Sequence, residues 1–226
     1  MKPPFPNPRF ERKFVFETLS VPELQALIRR HPAGFREAYP PRIVNNIYLD
    51  SLGLTSYHDH INGSSKRSKT RVRWYGPPSA RISKPLLEQK VKSGQISGKI
   101  VEQLPDLTLN GEGACGAIQQ ALTQTAAPDV LKLHVRQLVP SLFNRYERWY
   151  YVSADGRYRL TVDAGLQFGT PETQSACQRL PVTGQTVLLE LKFLPDCAEG
   201  AERITNAFPF RLTRFSKYVF GIQRLQ

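Results

Sequence analysis

Five short segments of the chain alternate charged residues with apolar ones, and this alternation limits what the chain can fold into. The segments are Arg9–Phe16, Arg71–Trp74, Leu87–Lys92, Arg157–Asp163 and Leu189–Phe193. Because neighbouring side chains of a β-strand point to opposite faces of its sheet, each segment has one apolar face and one face of mixed, mostly cationic charge. A sheet that curls with the charged faces inward makes a lumen lined with arginine and lysine. Such a lumen suits a linear polyanion.

The charge balance indicates anionic partners. The chain has 226 residues, with 31 lysine and arginine residues against 19 aspartate and glutamate residues, for a formal net charge of +12. Nucleic acid, phosphorylated metabolites and an anionic membrane surface all fit such a charge. It is not confined to one end of the chain, and half of it lies in the alternating segments, which favours a folded binding surface over a disordered arm. The length fits one large all-β or α+β domain, or at most two small ones, and we expect residues 1–226 to form a single domain.

The cysteines and the N-terminal segment indicate in which cellular compartment the protein is expected. Cys115, Cys177 and Cys197 are odd in number and lack the spacing of a metal site, so a reducing compartment is the simpler interpretation. The N-terminal ten residues lack the apolar run of a signal peptide. No stretch approaches the roughly 18 apolar residues that a spanning helix needs. We expect a soluble, cytoplasmic protein with no membrane span in this chain.

The pattern predicts seven clear strands and several helices. An eighth strand is expected in Leu54–His58 or in Arg81–Lys84, and residues 164–185 are expected to form a polar loop. Helices are predicted from the capping box at Ser20 to Arg30 and near residues 117–125, 129–137, 199–207 and 214–225. The predicted strands are Arg9–Phe16, Ile43–Leu49, Thr70–Tyr75, Leu86–Lys92, Asn144–Val152, Tyr158–Val162 and Val187–Phe193.

Arginine and lysine on the charged faces are candidates for phosphate binding, because arginine offers a planar fork to phosphate oxygens and lysine a point charge. The alternative is that each lies on the solvated outer face of an ordinary amphipathic strand, and this alternative weakens when all five segments are considered together. The candidates are Arg9, Lys13, Arg42, Arg71, Arg73, Lys90, Arg145, Arg159, Lys192, Arg214 and Lys217.

Some carboxylates lie at the same alternate positions as these arginines and lysines, and therefore on the same strand faces. They suggest a site for a divalent cation. Mg²⁺ and Mn²⁺ prefer carboxylate and water oxygens, and phosphoryl transfer uses such ions to bridge phosphate oxygens. Glu190 is the first candidate ligand and Glu11 the second. The alternative, that the carboxylates only form salt bridges with neighbouring cations, is favoured for Glu88 and Glu147 and stays open for Glu190. Asp163 is also predicted to lie on the charged face of its strand.

The remaining motifs give little evidence about function. His58 and His60 flank Asp59 in a basic, loop-rich stretch, where a surface or structural role is favoured over a metal site. The aromatic residues of the segment 146–151 could stack on a base but more often build an outer apolar face. The sequence has no glycine-rich phosphate loop, no nucleophile elbow and no zinc cluster.

The order of these motifs resembles a known family. The segments Arg71–Gly76 (RVRWYG) and Phe215–Tyr218 (FSKY) are fairly specific, and Leu189–Lys192 (LELK) is weaker alone. From Arg9 to about Ile222 the chain resembles the polyphosphate polymerase domain of the vacuolar transporter chaperone (VTC) proteins. That domain belongs to the triphosphate tunnel metalloenzyme, or CYTH-like, superfamily.

The resemblance implies an α+β fold with an eight-stranded antiparallel β tunnel barrel, a charged lumen and peripheral helices. It implies transfer of the γ-phosphate of ATP, with Mn²⁺ or Mg²⁺, onto a growing inorganic polyphosphate chain, with pyrophosphate or phosphate as primer. Glu190, and by parity Glu11, would hold the metal. The expected catalytic residues are Arg71, Arg73, Lys90, Arg145 and Arg159. The expected substrate-binding residues are Arg9, Lys13, Arg42, Lys192, Arg214, Ser216 and Lys217.

Two alternatives stay open from the sequence. The same barrel and residues could hydrolyse inorganic triphosphate or short polyphosphate, since only the acceptor differs. A non-catalytic module would bind polyphosphate in a salt-dependent way without turnover. A nucleic-acid partner is not expected, because no motif for groove or base readout is present. A membrane or protein partner is left open.

Overall fold

A computed structural model of the chain describes residues 8–77, 81–94, 96–109, 113–171 and 186–226. Eight strands form one sheet in the order β1-β10-β9-β8-β2-β3-β5-β6, and every neighbouring pair is antiparallel. Their bounds are β1 Phe10–Phe16, β2 Arg36–Asp50, β3 Lys66–Tyr75, β5 Leu86–Ser93, β6 Ile96–Gln103, β8 Val139–Val152, β9 Arg159–Gly169 and β10 Val187–Phe193. Two further strands, β4 Arg81–Ile82 and β7 Leu107–Thr108, pair with each other in a separate small sheet.

The sheet curls until its two edge strands touch at one point. The amide of Arg9 donates to the carbonyl oxygen of Ser97 over 3.1 Å, and the Ser97 hydroxyl donates back to the Arg9 carbonyl oxygen over 3.3 Å. In the described residues no ladder continues from this bridge. The predicted α+β class and eight-stranded antiparallel sheet are therefore confirmed, whereas the predicted closed barrel is corrected to a curled sheet whose edges meet at a single bridge.

Six helices pack on the sheet in the described part of the chain. They are α1 Val21–Arg30, α2 Thr55–Ile61, α3 Gly113–Thr123, α4 Asp129–Arg136, α5 Ala198–Asn206, which follows a 3₁₀ turn at Pro195–Cys197, and α6 Lys217–Leu225. Two apolar clusters cover the outer face of the sheet. One joins α3 and α4 to β2, β3 and β5, and the other joins α1 and α5 to β1, β9 and β10. These helices bury the apolar half of each alternating segment.

Helix α6 lies on the other, inner face. Its residues Tyr218, Val219 and Ile222 share a buried cluster with inner side chains of β8, β9 and β10. The approach is close, because a Cβ added at Gly221 would stand 2.5 Å from Phe168 Cδ1 and 2.6 Å from Leu142 Cδ2. The helix therefore fills one end of the concave side and leaves the charged positions of the same strands beside its N-terminus.

The predicted elements agree with the structure in kind and differ at the edges. All seven predicted strands are present, and β2 and β8 are longer than expected. The eighth strand of the sheet is β6, which the sequence analysis missed because its sequence, ISGKIVEQ, contains a glycine and no clean alternation. Leu54–His58 belongs to α2, and Arg81–Lys84 contains only the two-residue strand β4.

The predicted loop at residues 164–185 is wrong in its first part. Residues 164–169 continue β9 past a bulge at Gly165, whose φ of +63° favours glycine. Residues 172–185 of that prediction, with Cys177, lie outside the described residues.

Candidate functional site

The charged halves of the alternating segments meet on the concave side of the sheet, which we call the inner charged face. Cross-strand pairing sets which side chains share it: Lys13 lies opposite Glu190, Arg71 opposite Glu88, and Arg148 opposite Asp163. Its charged residues include Glu11, Lys13, Lys69, Arg71, Arg73, Glu88, Lys90, Lys92, Lys99, Arg148, Arg159, Asp163, Glu190 and Lys192 from the strands, with Lys217 from α6.

Asp163 is the most deeply buried carboxylate of this face. Arg148 donates hydrogen bonds to both of its oxygens, from Nε to Oδ1 over 2.5 Å and from Nη2 to Oδ2 over 2.6 Å. Lys217, the first residue of α6, donates to Oδ2 over 2.5 Å. Burial opposes the charged form, and the two cations overcome that penalty, so the pKa of Asp163 is lowered to about 2. This ion-paired group fixes the N-terminus of α6 against the sheet.

Glu190 and Glu11 lie beside this group and are shared among lysines. Glu190 is 3.0 Å from Nζ of Lys13 and 3.0 Å from Nζ of Lys192. Glu11 is 2.7 Å from Nζ of Lys90 and 4.0 Å from that of Lys13. Desolvation penalises the charge of each, but the lysines prevail: the pKa of Glu11 is lowered to about 2 and that of Glu190 falls well below its usual range. Both are ionised at neutral pH.

Glu88 organises the two arginines of the RVRWYG motif. Arg71 binds it through Nε at 2.8 Å and Nη2 at 2.7 Å, and Nη1 of Arg73 is 3.7 Å away. Lys99 of the unpredicted strand β6 completes the group. Arg73 also donates to Asn46 Oδ1 at 2.9 Å and to the Tyr146 hydroxyl at 3.1 Å. The arginine forks are thus held in place before any ligand arrives.

Lys69 is a member of the face that the sequence analysis passed over. It has no carboxylate within salt-bridge distance among the described residues, and its Nζ donates to Ser216 Oγ over 2.6 Å. Burial, followed by the charges of Lys13, Lys90 and other cations, lowers the pKa of Lys69 well below its ordinary value. Its place two residues before Arg71 was the available signal. The face is therefore electrostatically unsatisfied at this point and favours an anion.

His60 and Thr161 are two further polar groups of interest; the sequence analysis weighed His60 only as a metal ligand and did not consider Thr161. His60, on α2, has a buried Nδ1 without a hydrogen-bond partner, and burial together with the nearby cations lowers its pKa to about 3. The Oγ1 of Thr161, which pairs across strands with Glu190, is likewise buried and without a partner in the described structure. Both are polar atoms that a phosphate chain or its water could satisfy.

The other predicted site residues lie at several different places in the structure. Lys192 belongs to the inner charged face. Ser216, whose Oγ accepts from the Val219 amide, caps α6, and the amide of Thr213 donates to the Lys13 carbonyl oxygen, which places the segment with Arg214 across β1. Arg9 and Arg159 are exposed. Arg42 pairs across strands with Arg148 and stacks on tyrosine rings.

Arg145 and Glu147 do not join the inner charged face. They alternate with Tyr146 and Arg148, which point inward, and they surround a small outer cavity together with Trp149 and Gln167. Glu147 was expected on the same face as the basic residues, and this expectation is wrong. The structure also does not bring Arg145 to the other predicted site residues. Arg148 occupies the inner position instead. The sequence NRYERWYY places charge on both parities, so periodicity could not choose between them.

The chain matches the VTC domain over residues 8–226 and belongs to that family. A search of curated proteins finds no match to this sequence. Solved structures share the fold. The PH1819 protein of Pyrococcus horikoshii aligns with a TM-score of 0.55 at 13% identity, covering 96% of this chain and 99% of that one.

Two other structures align similarly. HpAC1 from Hippeastrum, assigned as an adenylyl cyclase and described as having a dominant triphosphatase activity, aligns with a TM-score of 0.55 at 14% identity over 97% of this chain and 96% of its own. A protein of Vibrio parahaemolyticus assigned as an adenylate cyclase aligns with a TM-score of 0.53 at 11% identity, over 93% and 97% of the two chains. These likenesses show the triphosphate tunnel, or CYTH-like, fold. Together with the family match, they support a phosphate-related function on this fold.

The tunnel metalloenzyme fold implies a divalent cation, and the donor set can be tested against one. Within the described ranges no group of three or more histidine, cysteine, aspartate or glutamate residues could hold a metal. Glu11 and Glu190 nevertheless supply two ionised carboxylates that share Lys13 as a neighbour. Mg²⁺ is commonly bound by one or two carboxylates together with phosphate oxygens and water. The residues fit a cation held jointly with a phosphate substrate, for which Glu11 and Glu190 would be the protein ligands.

No helix in the described part of the chain is both long enough and apolar enough to cross a membrane.

Proposed function

We propose that this domain transfers the γ-phosphate of ATP onto the end of an inorganic polyphosphate chain bound on the inner charged face. The observation that carries the proposal is the position of Lys69, a partly buried lysine without a carboxylate partner in the described structure, beside Lys13 and Lys90. A folded protein retains unpaired, partly desolvated charge at a cost, and a bound polyanion removes that cost. Family membership supports the same substrate class.

The arginines and the lysines of the inner charged face suit different substrates, ATP and the polyphosphate chain. Arg71 and Arg73, held by Glu88, Asn46 and Tyr146, present fixed guanidinium groups to a triphosphate. The lysines around Lys69 present flexible ammonium groups that can follow a linear chain of phosphates. Because Lys13 and Lys90 already bind Glu190 and Glu11, an arriving phosphate chain would compete with these carboxylates for the same ammonium groups.

The chemistry requires no protein nucleophile. An oxygen of the terminal chain phosphate attacks the γ-phosphorus of ATP in line, the bond between the γ-phosphorus and the β,γ-bridging oxygen breaks, and ADP leaves with that oxygen and its electron pair. The cations of the face align the two phosphates and offset their mutual repulsion, which is the main barrier to their approach. A divalent cation at Glu11 and Glu190, when bound, would supply further charge neutralisation between phosphate oxygens.

Hydrolysis is the second candidate, and one observation favours it. HpAC1, which shares the fold, is described as having a dominant triphosphatase activity. On this chain, water would replace the chain phosphate as acceptor and the same cations would bind the triphosphate.

The purified protein incubated with ATP, Mn²⁺ or Mg²⁺ and a pyrophosphate primer separates these functions. Products are followed by gel electrophoresis and ³¹P NMR. A ladder of polyphosphate with one ADP for each phosphate added supports the polymerase. Orthophosphate as the sole product supports the hydrolase, and salt-sensitive polyphosphate binding without turnover identifies a binding module.

A further inference from the structure

Three tyrosines and one arginine form a cluster at the far end of the inner face from α6, which we call the tyrosine rim. Its residues are Tyr39, Arg42, Tyr75 and Tyr150. The guanidinium carbon of Arg42 lies 5.4, 5.6 and 5.8 Å from the ring centroids of Tyr39, Tyr75 and Tyr150. The rings of Tyr39 and Tyr150 meet edge to face with centroids 5.9 Å apart. The cation therefore orders the three rings around itself.

The tyrosine rim is accessible to a ligand. Tyr39 is 56% exposed and Tyr75 is 42% exposed, and Arg42 is exposed as well. Among the described residues, Arg42 makes no salt bridge to a carboxylate. Flat aromatic and guanidinium surfaces thus remain open to solvent at a rigid position, where a flat ring can stack on them.

The rim continues the inner charged face. Tyr75 follows Arg73 by two residues on β3, and Tyr150 follows Arg148 by two residues on β8, so each tyrosine lies on the same face as its arginine, roughly 7 Å further along the strand. Arg42 is the cross-strand partner of Arg148. A ligand whose phosphates bind Arg71 and Arg73 would extend its other end along β3 toward the rim.

We propose that the tyrosine rim is a nucleobase site, on which the base of a nucleoside triphosphate stacks while its phosphates lie among the arginines of the inner charged face. A linear polyphosphate has no flat apolar group and gains nothing from three tyrosine rings, whereas a nucleotide carries a heteroaromatic ring one sugar away from its phosphates. This inference rests on the proposed use of ATP. It goes further by giving the protein a physical means to distinguish nucleoside triphosphates from inorganic triphosphate.

Stacking also sets the base preference. Every base has a π-face, so a stacking platform tolerates different bases and favours those with larger rings. Within the described rim we see no amide or carboxylate side chain to read the base edge. ATP and GTP should therefore bind with similar affinity, and CTP and UTP more weakly.

The test compares two ligands on the same proteins. Dissociation constants for the non-hydrolysable β,γ-imido analogue of ATP and for inorganic tripolyphosphate are measured by calorimetry on the wild type, Tyr39→Leu and Tyr39→Phe. Leu133→Ala, at an exposed position on α4, serves as the control for surface substitution. Tyr39→Leu should weaken binding of the ATP analogue roughly tenfold, as expected for one lost stacking contact, and change tripolyphosphate binding less than twofold. Tyr39→Phe, which keeps the ring, should restore most of the ATP affinity.

The outcomes separate this inference from the proposed function. Equal losses for both ligands in Tyr39→Leu, or no loss for the ATP analogue, would refute the nucleobase site even if polyphosphate is synthesised. A wild type that binds tripolyphosphate but not the ATP analogue would refute both the nucleobase site and the use of ATP. A selective loss of ATP-analogue affinity in a protein that makes no polyphosphate would support the nucleobase site and refute the polymerase.

Discussion

Lys69 of β3 donates a hydrogen bond from Nζ to Oγ of Ser216, the N-cap residue of α6, over 2.6 Å. The contact joins two segments 147 residues apart. It brings an ammonium group that has no carboxylate partner among the described residues to the end of a helix that carries partial positive charge. Neither partner neutralises the lysine. The arrangement is one in which a bound anion would be more favourable than the empty protein, and several expectations depend on it.

Replacing Lys69 by methionine should weaken polyphosphate binding and leave the fold at least as stable. The folded protein disfavours the charged form of Lys69, since its pKa is lowered chiefly by burial and then by neighbouring cations. Lys69→Met removes that penalty while keeping the aliphatic length. We expect the Tm to rise by about 2–4 °C and the affinity for tripolyphosphate to fall about tenfold. Differential scanning fluorimetry and calorimetry measure the two effects. A falling Tm with unchanged affinity would mean that Lys69 is a structural residue.

Arg71→Ala should remove most of the turnover without unfolding the protein. Arg71 is predicted to contact the transferred phosphate, and Glu88 keeps Arg73 and Lys99 as partners when Arg71 is lost. We expect kcat/KM to fall about 10²- to 10³-fold, as for other groups that stabilise charge in a transition state. Arg136→Ala, at an exposed position in the last turn of α4, is the control.

Arg145→Ala tests the placement on β8 by the same assay. The structure places this side chain on the outer face, so its loss should change kcat/KM by less than threefold. A loss as large as that of Arg71→Ala would show that the strand presents its other face in solution. Unchanged kinetics in Arg71→Ala would exclude Arg71 from the site.

Asp163→Asn should destabilise the protein in a pH-dependent manner. The substitution leaves Arg148 and Lys217 without their buried counter-charge, which costs about 3–5 kcal/mol when one partner of a buried pair is removed. The pKa of Asp163 falls from 3.8 when unfolded to about 2 when folded. Its ion pairing therefore stabilises the fold fully above about pH 4, and the contribution is lost as the pH falls toward 2.

Urea unfolding at pH 7 and at pH 3 measures this effect. The difference in unfolding free energy between Asp163→Asn and the wild type should be large at pH 7 and smaller at pH 3. Asp106→Asn is the control, because Asp106 is a solvent-accessible carboxylate that pairs with Arg81 at 3.4 Å. It should change the free energy of unfolding far less than Asp163→Asn does. A difference for Asp163→Asn that does not change with pH would contradict the assigned ionisation.

His60 should take up a proton when polyphosphate binds. In the free protein its pKa is lowered to about 3, first by burial and then by Lys69, Arg67, Lys13 and Lys92, so it is neutral at pH 7. A bound polyanion offsets those charges, while the burial remains, and so raises the pKa of His60 from about 3 back toward its usual 6.5. Binding should therefore tighten as the pH is lowered from 8 to 6.

Calorimetry in two buffers of different ionisation enthalpy counts the protons taken up. His60→Gln should take up fewer protons than the wild type at pH 6.5, and its remaining pH dependence reports the phosphate groups of the ligand. Equal proton uptake by the two proteins would exclude His60 from the linkage.

The alternation of charged and apolar residues was enough to predict the faces of β1, β3, β5 and β10. In each, the charged residues of one parity lie on the inner face, and the apolar ones are covered by helices. The pairing of Lys13 with Glu190 and of Arg71 with Glu88 follows once those faces meet. A period of two is a local property of a strand, and for this reason it can be read from the chain alone.

The tertiary structure decided the rest. On β8 the charges of Arg145, Glu147 and Arg148 occupy both parities, and only the register with β2 and β9 turns Arg148 inward. Strand β6, which supplies Lys99, has no alternation to reveal it. Likewise, the neighbours that shift the pKa values of Asp163, Lys69 and His60 come from distant segments. Local side-chain chemistry is written in the sequence, whereas the burial and net charge around each group depend on which strands and helices pack together, and those long-range contacts set what the site can bind.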